Sequence, residues 1–174
     1  VDMIPYKTCT FDCIYCQVGR TTCKTIQRAV HAPRAELVEE VRAKLQAGAK
    51  PDVITMSGSG EPTLHLDLEG IIADIKQFSD IPVAVLTNGS LLYEADVRRA
   101  CARADIAVPS LDAGDDAAYQ AINRPHESLA FDKVVDGLVA FRKEFLKPVW
   151  LEVFFVEGIN TDDAQVRKMR ALAD

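Results

Sequence analysis

The sequence has no long hydrophobic run. No stretch approaches the roughly 20 apolar residues that span a bilayer, and no basic-then-apolar leader opens the chain. The expectation is a cytoplasmic protein with no membrane partner. Aromatic residues are scarce, at 7% of 174 positions, while 48% of the chain is hydrophobic, so aliphatic side chains must build the core of one globular domain. Basic residues are outnumbered, 20 against 26 acidic ones, and the net charge of −6 argues against a broad footprint on duplex nucleic acid. No glycine-rich loop ends in lysine, so no nucleoside-triphosphate cradle is indicated. His31, His65 and His126 lack metal-ligand spacing and receive no role. Cysteines number five, an odd count that a closed disulfide framework does not favour. The first residue is Val1 rather than Met, so a processed form or an excised piece of a longer protein is expected.

Apolar, β-rich runs alternate with amphipathic ones along the whole length. Strands are expected at residues 1–6, 52–57, 82–89, 105–112 and 149–158. Helices are expected at 34–48, 66–78, 93–104, 131–145 and 161–173. In the first helix Leu37, Val38, Val41 and Leu45 share one face and Gly48 is a natural stop; in the second Leu68, Ile71, Ile72 and Ile75 do the same. Short continuous apolar strands, each followed by a helix, predict a parallel sheet covered by helices. Five βα units are too few to close an eight-stranded barrel, which leaves an open partial barrel or a doubly wound sheet. In both, ligands gather at the carboxyl ends of the strands.

Three of the five cysteines fall within "CTFDCIYC", residues 9 to 16, directly after the first expected strand. In a reducing compartment such a group binds metal or does chemistry. Thiolates are soft ligands suited to zinc, copper(I) or iron–sulfur clusters. A four-ligand zinc site would add Cys23, seven residues after Cys16. A 4Fe–4S cluster held by Cys9, Cys13 and Cys16 alone would leave one iron open. Cys101 lies on the apolar stripe of its helix and reads as core.

The C-x3-C-x2-C spacing, with Tyr15 before its last cysteine, resembles the signature loop of the radical S-adenosylmethionine (radical SAM) superfamily. "SGEPT" at 59–63 resembles the glycine–glutamate motif of that family, and "TNG" at 87–89 and "SLD" at 110–112 match it in order and placement. The segments are most similar to the iron–sulfur oxidoreductase-like branch that includes wyosine-type tRNA-modifying enzymes. The resemblance implies a radical SAM core domain over residues 1–174, incomplete at its C-terminal end, folded as an open partial TIM-type barrel. It implies a 4Fe–4S cluster on Cys9, Cys13 and Cys16, with S-adenosylmethionine chelating the open iron. Reduction by an external one-electron donor would then cleave S-adenosylmethionine to a 5′-deoxyadenosyl radical, which abstracts hydrogen from an unknown substrate.

By the same resemblance Tyr15 lies on the adenine side. Backbone carbonyls of Ser59, Gly60 and Glu61 take the ammonium group. Read from residue type and place, Asn88, Ser110 and Asp112 at two strand ends either serve ribose hydroxyls or are ordinary turn formers, and Arg124 is either a charge-assisted donor to the methionyl carboxylate or a surface arginine. Glu152 is read from alternation: Trp150, Glu152 and Phe154 share a strand face, and a carboxylate buried among aromatics is costly unless paired or functional, so Glu152 either points into the barrel lumen toward S-adenosylmethionine or substrate, or is salt-bridged or exposed at an edge. No acidic residue separates Cys13 from Ala35, while Arg20, Lys24, Arg28 and Arg34 are basic. That strip either receives an anionic substrate, RNA or protein, or is simply solvated. No residue is assigned as catalytic acid, base or nucleophile. Two other functions compete with the enzyme: a non-catalytic iron–sulfur or zinc module, and an activating partner of another protein.

Overall fold

The computed structural model describes residues 1–174. Two parallel ladders organise the backbone. The first joins β1 (Thr8–Cys9) to β2 (Cys23–Lys24). The second joins β3 (Ile54–Met56), β4 (Val83–Thr87) and β5 (Ile106–Pro109) in chain order, with Ile54 opposite Val83 and Ala84 opposite Ile106. The helices are α1 (Arg34–Gln46), α2 (Leu68–Ile75), α3 (Ala95–Cys101), α4 (Asp116–Asn123), α5 (Phe131–Glu144) and α6 (Asp163–Ala173).

The parallel array continues past β3 and β5 on both sides. The Val1 ammonium donates to the Thr55 carbonyl at 2.6 Å and the Ser57 N–H donates to the Val1 carbonyl at 3.3 Å. At the other edge Val149 bridges Ala107 and Glu152 bridges Ser110, both parallel. Each new strand therefore joins the same edge as the last. That is the order of an opened barrel, whereas a doubly wound sheet reverses direction part-way. The fold is an open partial barrel, not a closed one.

The end strands are far less regular than expected, and for local reasons. In residues 1–6, Asp2 Oδ1 accepts the Ile4 N–H and Pro5 has no N–H to offer, so only Val1 pairs with β3. In residues 149–158, the ladder stops after Glu152. Asp112 Oδ1 takes the next inward N–H, that of Phe154, and Asn160 Oδ1 takes that of Val156.

The helices follow their apolar faces. Leu68, Ile71, Ile72 and Ile75 of α2 are all fully buried, and α1 buries Leu37 and Val38. Helix α1 ends two residues before Gly48, which takes a left-handed φ of 96° and donates to the Leu45 carbonyl. Cys101 is buried in the main core, as its stripe implies. Helix α4 is absent from the sequence reading. It is only eight residues long, is capped by Asp115 accepting the Ala118 N–H, and ends at Arg124 in a left-handed φ of 44°. No helix is long and apolar enough to cross a membrane.

Two apolar clusters result. The larger sits between the strands and α1, α2, α3 and α5. The smaller gathers Phe11, Ala113, Ala118, Tyr119, Leu129, Phe131 and Val134 beneath the cysteine loop. In α5 the fully buried Phe141 stacks on Phe145, with ring centroids 5.0 Å apart. Phe141→Ala should cost about 3–5 kcal/mol of stability. Val139→Ala, on the exposed side of the same helix, should change it by no more than about 0.5 kcal/mol. Urea unfolding of the two variants checks this, and equal losses would contradict the assigned core face.

Candidate functional site

The cysteine loop begins at Lys7, whose φ of 59° turns the chain before β1. It is then pinned from beneath. Phe11 enters the smaller core edge-on to Tyr119, with centroids 5.5 Å apart. The N–H groups of Asp12 and Ile14 donate to the carbonyls of Asn123 and Ile122, so the loop rests on the end of α4. Two tight turns follow, closed by Cys16 N–H to the Cys13 carbonyl at 3.2 Å and Gly19 N–H to the Cys16 carbonyl at 3.0 Å.

Each of the three thiols meets a side-chain N–H donor. Lys7 Nζ lies 3.1 Å from Cys16 Sγ, Asn88 Nδ2 lies 3.6 Å from Cys9 Sγ, and Asn123 Nδ2 lies 3.5 Å from Cys13 Sγ. Cys23 is exposed and its sulfur takes no such bond. No group of three or more histidine, cysteine, aspartate or glutamate side chains is closed around a common point. The donor set nevertheless suits three-point sulfur ligation, because donors aimed at sulfur stabilise thiolate charge. Burial pushes the Cys9 thiol up to about 11, reinforced by the Glu61 carboxylate, and the Cys13 thiol up to about 12 despite the Asn123 bond.

The strand ends meet this loop from the other side. After β3, the Ser59 carbonyl accepts the Lys7 N–H and the Glu61 N–H donates to the Thr8 carbonyl. Glu61 is buried, not solvated. Its carboxylate accepts from the Thr63 N–H and hydroxyl, the Thr87 hydroxyl at 2.5 Å and the Asn88 N–H at 2.8 Å. Burial raises its pKa, and those four donors oppose the rise. After β4, Asn88 Nδ2 also reaches Thr10 Oγ1 at 2.7 Å, and Asn88 Oδ1 accepts the Ser90 N–H. After β5, Asp112 is buried and accepts from the Tyr15 hydroxyl at 2.6 Å, Asn123 Nδ2 at 2.8 Å and the Phe154 N–H at 2.9 Å. The Tyr15 ring lies flat on Phe154, with centroids 4.1 Å apart and planes 9° apart. A small, mostly apolar cavity of about 10 Å³ lies beneath the loop, lined by Phe11, Leu111, Tyr119 and Phe131, with Asn88, Ser110, Asp112 and Asn123 on its polar side.

The structure thus brings Cys9, Cys13, Cys16, Tyr15, Ser59, Gly60, Glu61, Asn88, Ser110 and Asp112 to one rim. Arg124 stands beside the loop with an exposed guanidinium that forms no ion pair. Glu152 takes the edge-exposed alternative: its side chain is exposed, lies 3.4 Å from Ser110 Oγ, and sits between the exposed Trp150 and Phe154. The basic strip is not an open patch either. Arg20 pairs with Asp12, Lys24 caps the carbonyls of Arg124 and Pro125, Arg28 holds the carbonyls of Thr63 and His65, and Arg34 grips Asp74.

Sequence reasoning missed Lys7 and Asn123, both buried polar residues against sulfur. Asn123 carried a weak signal, as a polar residue closing a short helix. Lys7 carried none beyond its nearness to Cys9.

Residues 3–169 match the family model of the Radical SAM superfamily. The chain belongs to that superfamily. Its members bind a 4Fe–4S cluster and S-adenosylmethionine. A Brachyspira hyodysenteriae protein named GTPase Obg is 44% identical over 160 residues, which are 92% of this chain and 24% of that protein. A UPF0026 protein of Methanocaldococcus jannaschii is 36% identical over 171 residues, covering 97% of this chain and 53% of that protein. This radical SAM chain therefore spans about half the length of that relative, and a quarter of the first. Among solved structures, TYW1 with a lysine-pyruvate adduct bound superposes with a TM-score of 0.73 at 22% identity, covering 97% of this chain and 58% of that one. That likeness establishes the fold alone.

The thiolate is the reacting form of cysteine, so raised thiol pKa values slow alkylation at neutral pH. In the metal-free chain iodoacetamide should label the exposed Cys23 first, and Cys9 and Cys13 at least about tenfold more slowly. As pH rises toward 11 the thiolate fraction of Cys9 and Cys13 grows, and their labelling should accelerate. Peptide mapping by mass spectrometry reads the order, and equal labelling of Cys9 and Cys23 at neutral pH would contradict it.

Proposed function

We propose that this chain holds a 4Fe–4S cluster on Cys9, Cys13 and Cys16 and binds S-adenosylmethionine across the adjoining strand ends, for reductive cleavage and hydrogen abstraction from a further substrate. The observation that carries this is the single rim on which the three thiols meet the ends of β3, β4 and β5. When bound, such a cluster supplies one electron, received from an external donor, that breaks a carbon–sulfur bond of S-adenosylmethionine.

The chain's own residues bind and orient. Lys7, Asn88 and Asn123 direct N–H groups at the three sulfurs and stabilise their negative charge. The Gly60 carbonyl accepts no bond within the chain and the Ser59 carbonyl accepts one, so both have lone pairs open to an ammonium group. Thr8 and Ile4 crowd the Cα of Gly60, which leaves no room for a side chain there. The partly exposed Ser110 hydroxyl and Asn88 amide are small polar groups at the strand ends, of the kind a ribose would meet. The free guanidinium of Arg124 is available to a carboxylate. Glu61 and Asp112 act as positioning residues, since every nearby donor is already theirs: Glu61 aims Asn88, and Asp112 aims Tyr15. Glu152 forms the outer wall beside Ser110.

Anaerobic reconstitution should give about four irons and matching acid-labile sulfide per chain. Cys9→Ala, Cys13→Ala and Cys16→Ala should each lose them, and Cys23→Ala should keep them. One zinc without sulfide, or equal loss in Cys23→Ala, would replace the cluster with a four-thiol metal site.

The loaded, dithionite-reduced protein should then release 5′-deoxyadenosine and methionine from S-adenosylmethionine, slowly in the absence of its true substrate. The triple-cysteine variant should release none. Chromatography detects the nucleoside. No product above that variant, together with no heat of binding by calorimetry, would make the chain a non-catalytic iron–sulfur module.

A further inference from the structure

Lys7 is buried, at 3% exposure, yet no carboxylate pairs with it. Its Nζ lies 3.1 Å from Cys16 Sγ. Its backbone holds a left-handed φ of 59°, which a residue with a side chain adopts at a cost. Three backbone bonds fix that conformation: the Lys7 N–H donates to the Ser59 carbonyl at 2.9 Å, and the Lys7 carbonyl accepts the N–H groups of Thr22 and Cys23 at 3.1 Å each. The residue thus joins the end of β3, the start of the cysteine loop and β2. The other charges near the thiols are acidic, Glu61 toward Cys9 and Asp112 toward Cys13, and both are saturated by donors of their own.

An ammonium removed from water without a counter-charge is costly. A negatively charged sulfur centre beside it removes that cost. We propose that Lys7 is a positioning residue whose fixed positive charge raises the reduction potential of a cluster held by Cys9, Cys13 and Cys16. The inference rests on the cluster reading given above. Adding an electron to a cluster adds one negative charge, and a cation against a ligating sulfur stabilises that reduced form. The effect is larger where water is excluded than at an exposed site.

The test compares Lys7→Arg, Lys7→Gln and Lys7→Met with the wild type, each reconstituted as the full chain. Iron content and circular dichroism establish loading and fold. Potentiometric titration followed by electron paramagnetic resonance reads the potential. Lys7→Gln and Lys7→Met should keep their iron but shift the reduction equilibrium about tenfold toward the oxidised form, about 59 mV for one electron. Lys7→Arg should stay near the wild type. A loaded Lys7→Gln with the wild-type potential overturns the inference. Loss of iron from both neutral variants also overturns it, and assigns Lys7 to cluster retention instead. A wild-type chain that takes up no iron fails at the earlier step, so the two failures are told apart by iron analysis alone.

Discussion

The buried carboxylate of Glu61 is the constraint on which the rim depends. With almost no access to water it must be met by donors, and it is met by four. Two come from Thr63, in the turn that follows β3, and two from Thr87 and Asn88, at the end of β4. One side chain therefore couples two neighbouring strand ends. It also aims the Asn88 amide, which reaches Thr10 and Cys9. Losing one donor leaves a buried charge short of a partner, a penalty of roughly 1–3 kcal/mol or more. Asp112 repeats the arrangement one strand later. It binds the cysteine loop through Tyr15, α4 through Asn123, and the last segment of the array through Phe154. Two buried acids thus hold a loop, a helix end and the strand ends in one frame.

Much of the fold was legible because burial repeats with the period of the backbone. The apolar stripes of α1 and α2 lie inward as their spacing implies, and Gly48 ends α1 where a left-handed residue was needed. The central strands read as continuous apolar runs because both of their faces are covered. The end strands read equally well by composition yet barely pair. Their hydrogen bonds are captured by side chains far away in sequence or close at hand: Asp112 and Asn160 for residues 154–156, Asp2 for residue 4. No window of sequence contains the 42-residue separation between Asp112 and Phe154. Helix α4 escaped because eight residues supply little more than two turns of pattern.

The polar residues at the strand ends show a second limit of sequence reading. Asn, Ser, Asp and Glu at such positions were all candidates to touch a ligand. Residue type states what a group can bond, not which neighbour it will bond. Glu61 and Asp112 are each met by several donors from within the chain, while the Ser110 hydroxyl is partly exposed. The basic strip teaches the same lesson. Arg28 and Arg34 share a sign and a stretch of sequence, yet Arg28 points to two backbone carbonyls and Arg34 to a carboxylate on α2. An isolated run of charge carries no information about partners brought by the fold.

What remains open at the rim is therefore more telling than what is charged. The groups with bonding capacity to spare are three sulfurs, the Gly60 carbonyl, the Ser110 hydroxyl and the Arg124 guanidinium. Together they offer soft ligation, acceptance from a cation, a small hydroxyl-scale contact and capture of a carboxylate. A ligand that combines a metal-binding amino acid with a sugar would use all four. The scaffold behind them is already satisfied before any ligand arrives, so little reorganisation of strand ends is needed on binding. The same frame reaches the cysteine loop, because Lys7, Asn88 and Asn123 are each aimed at a different sulfur.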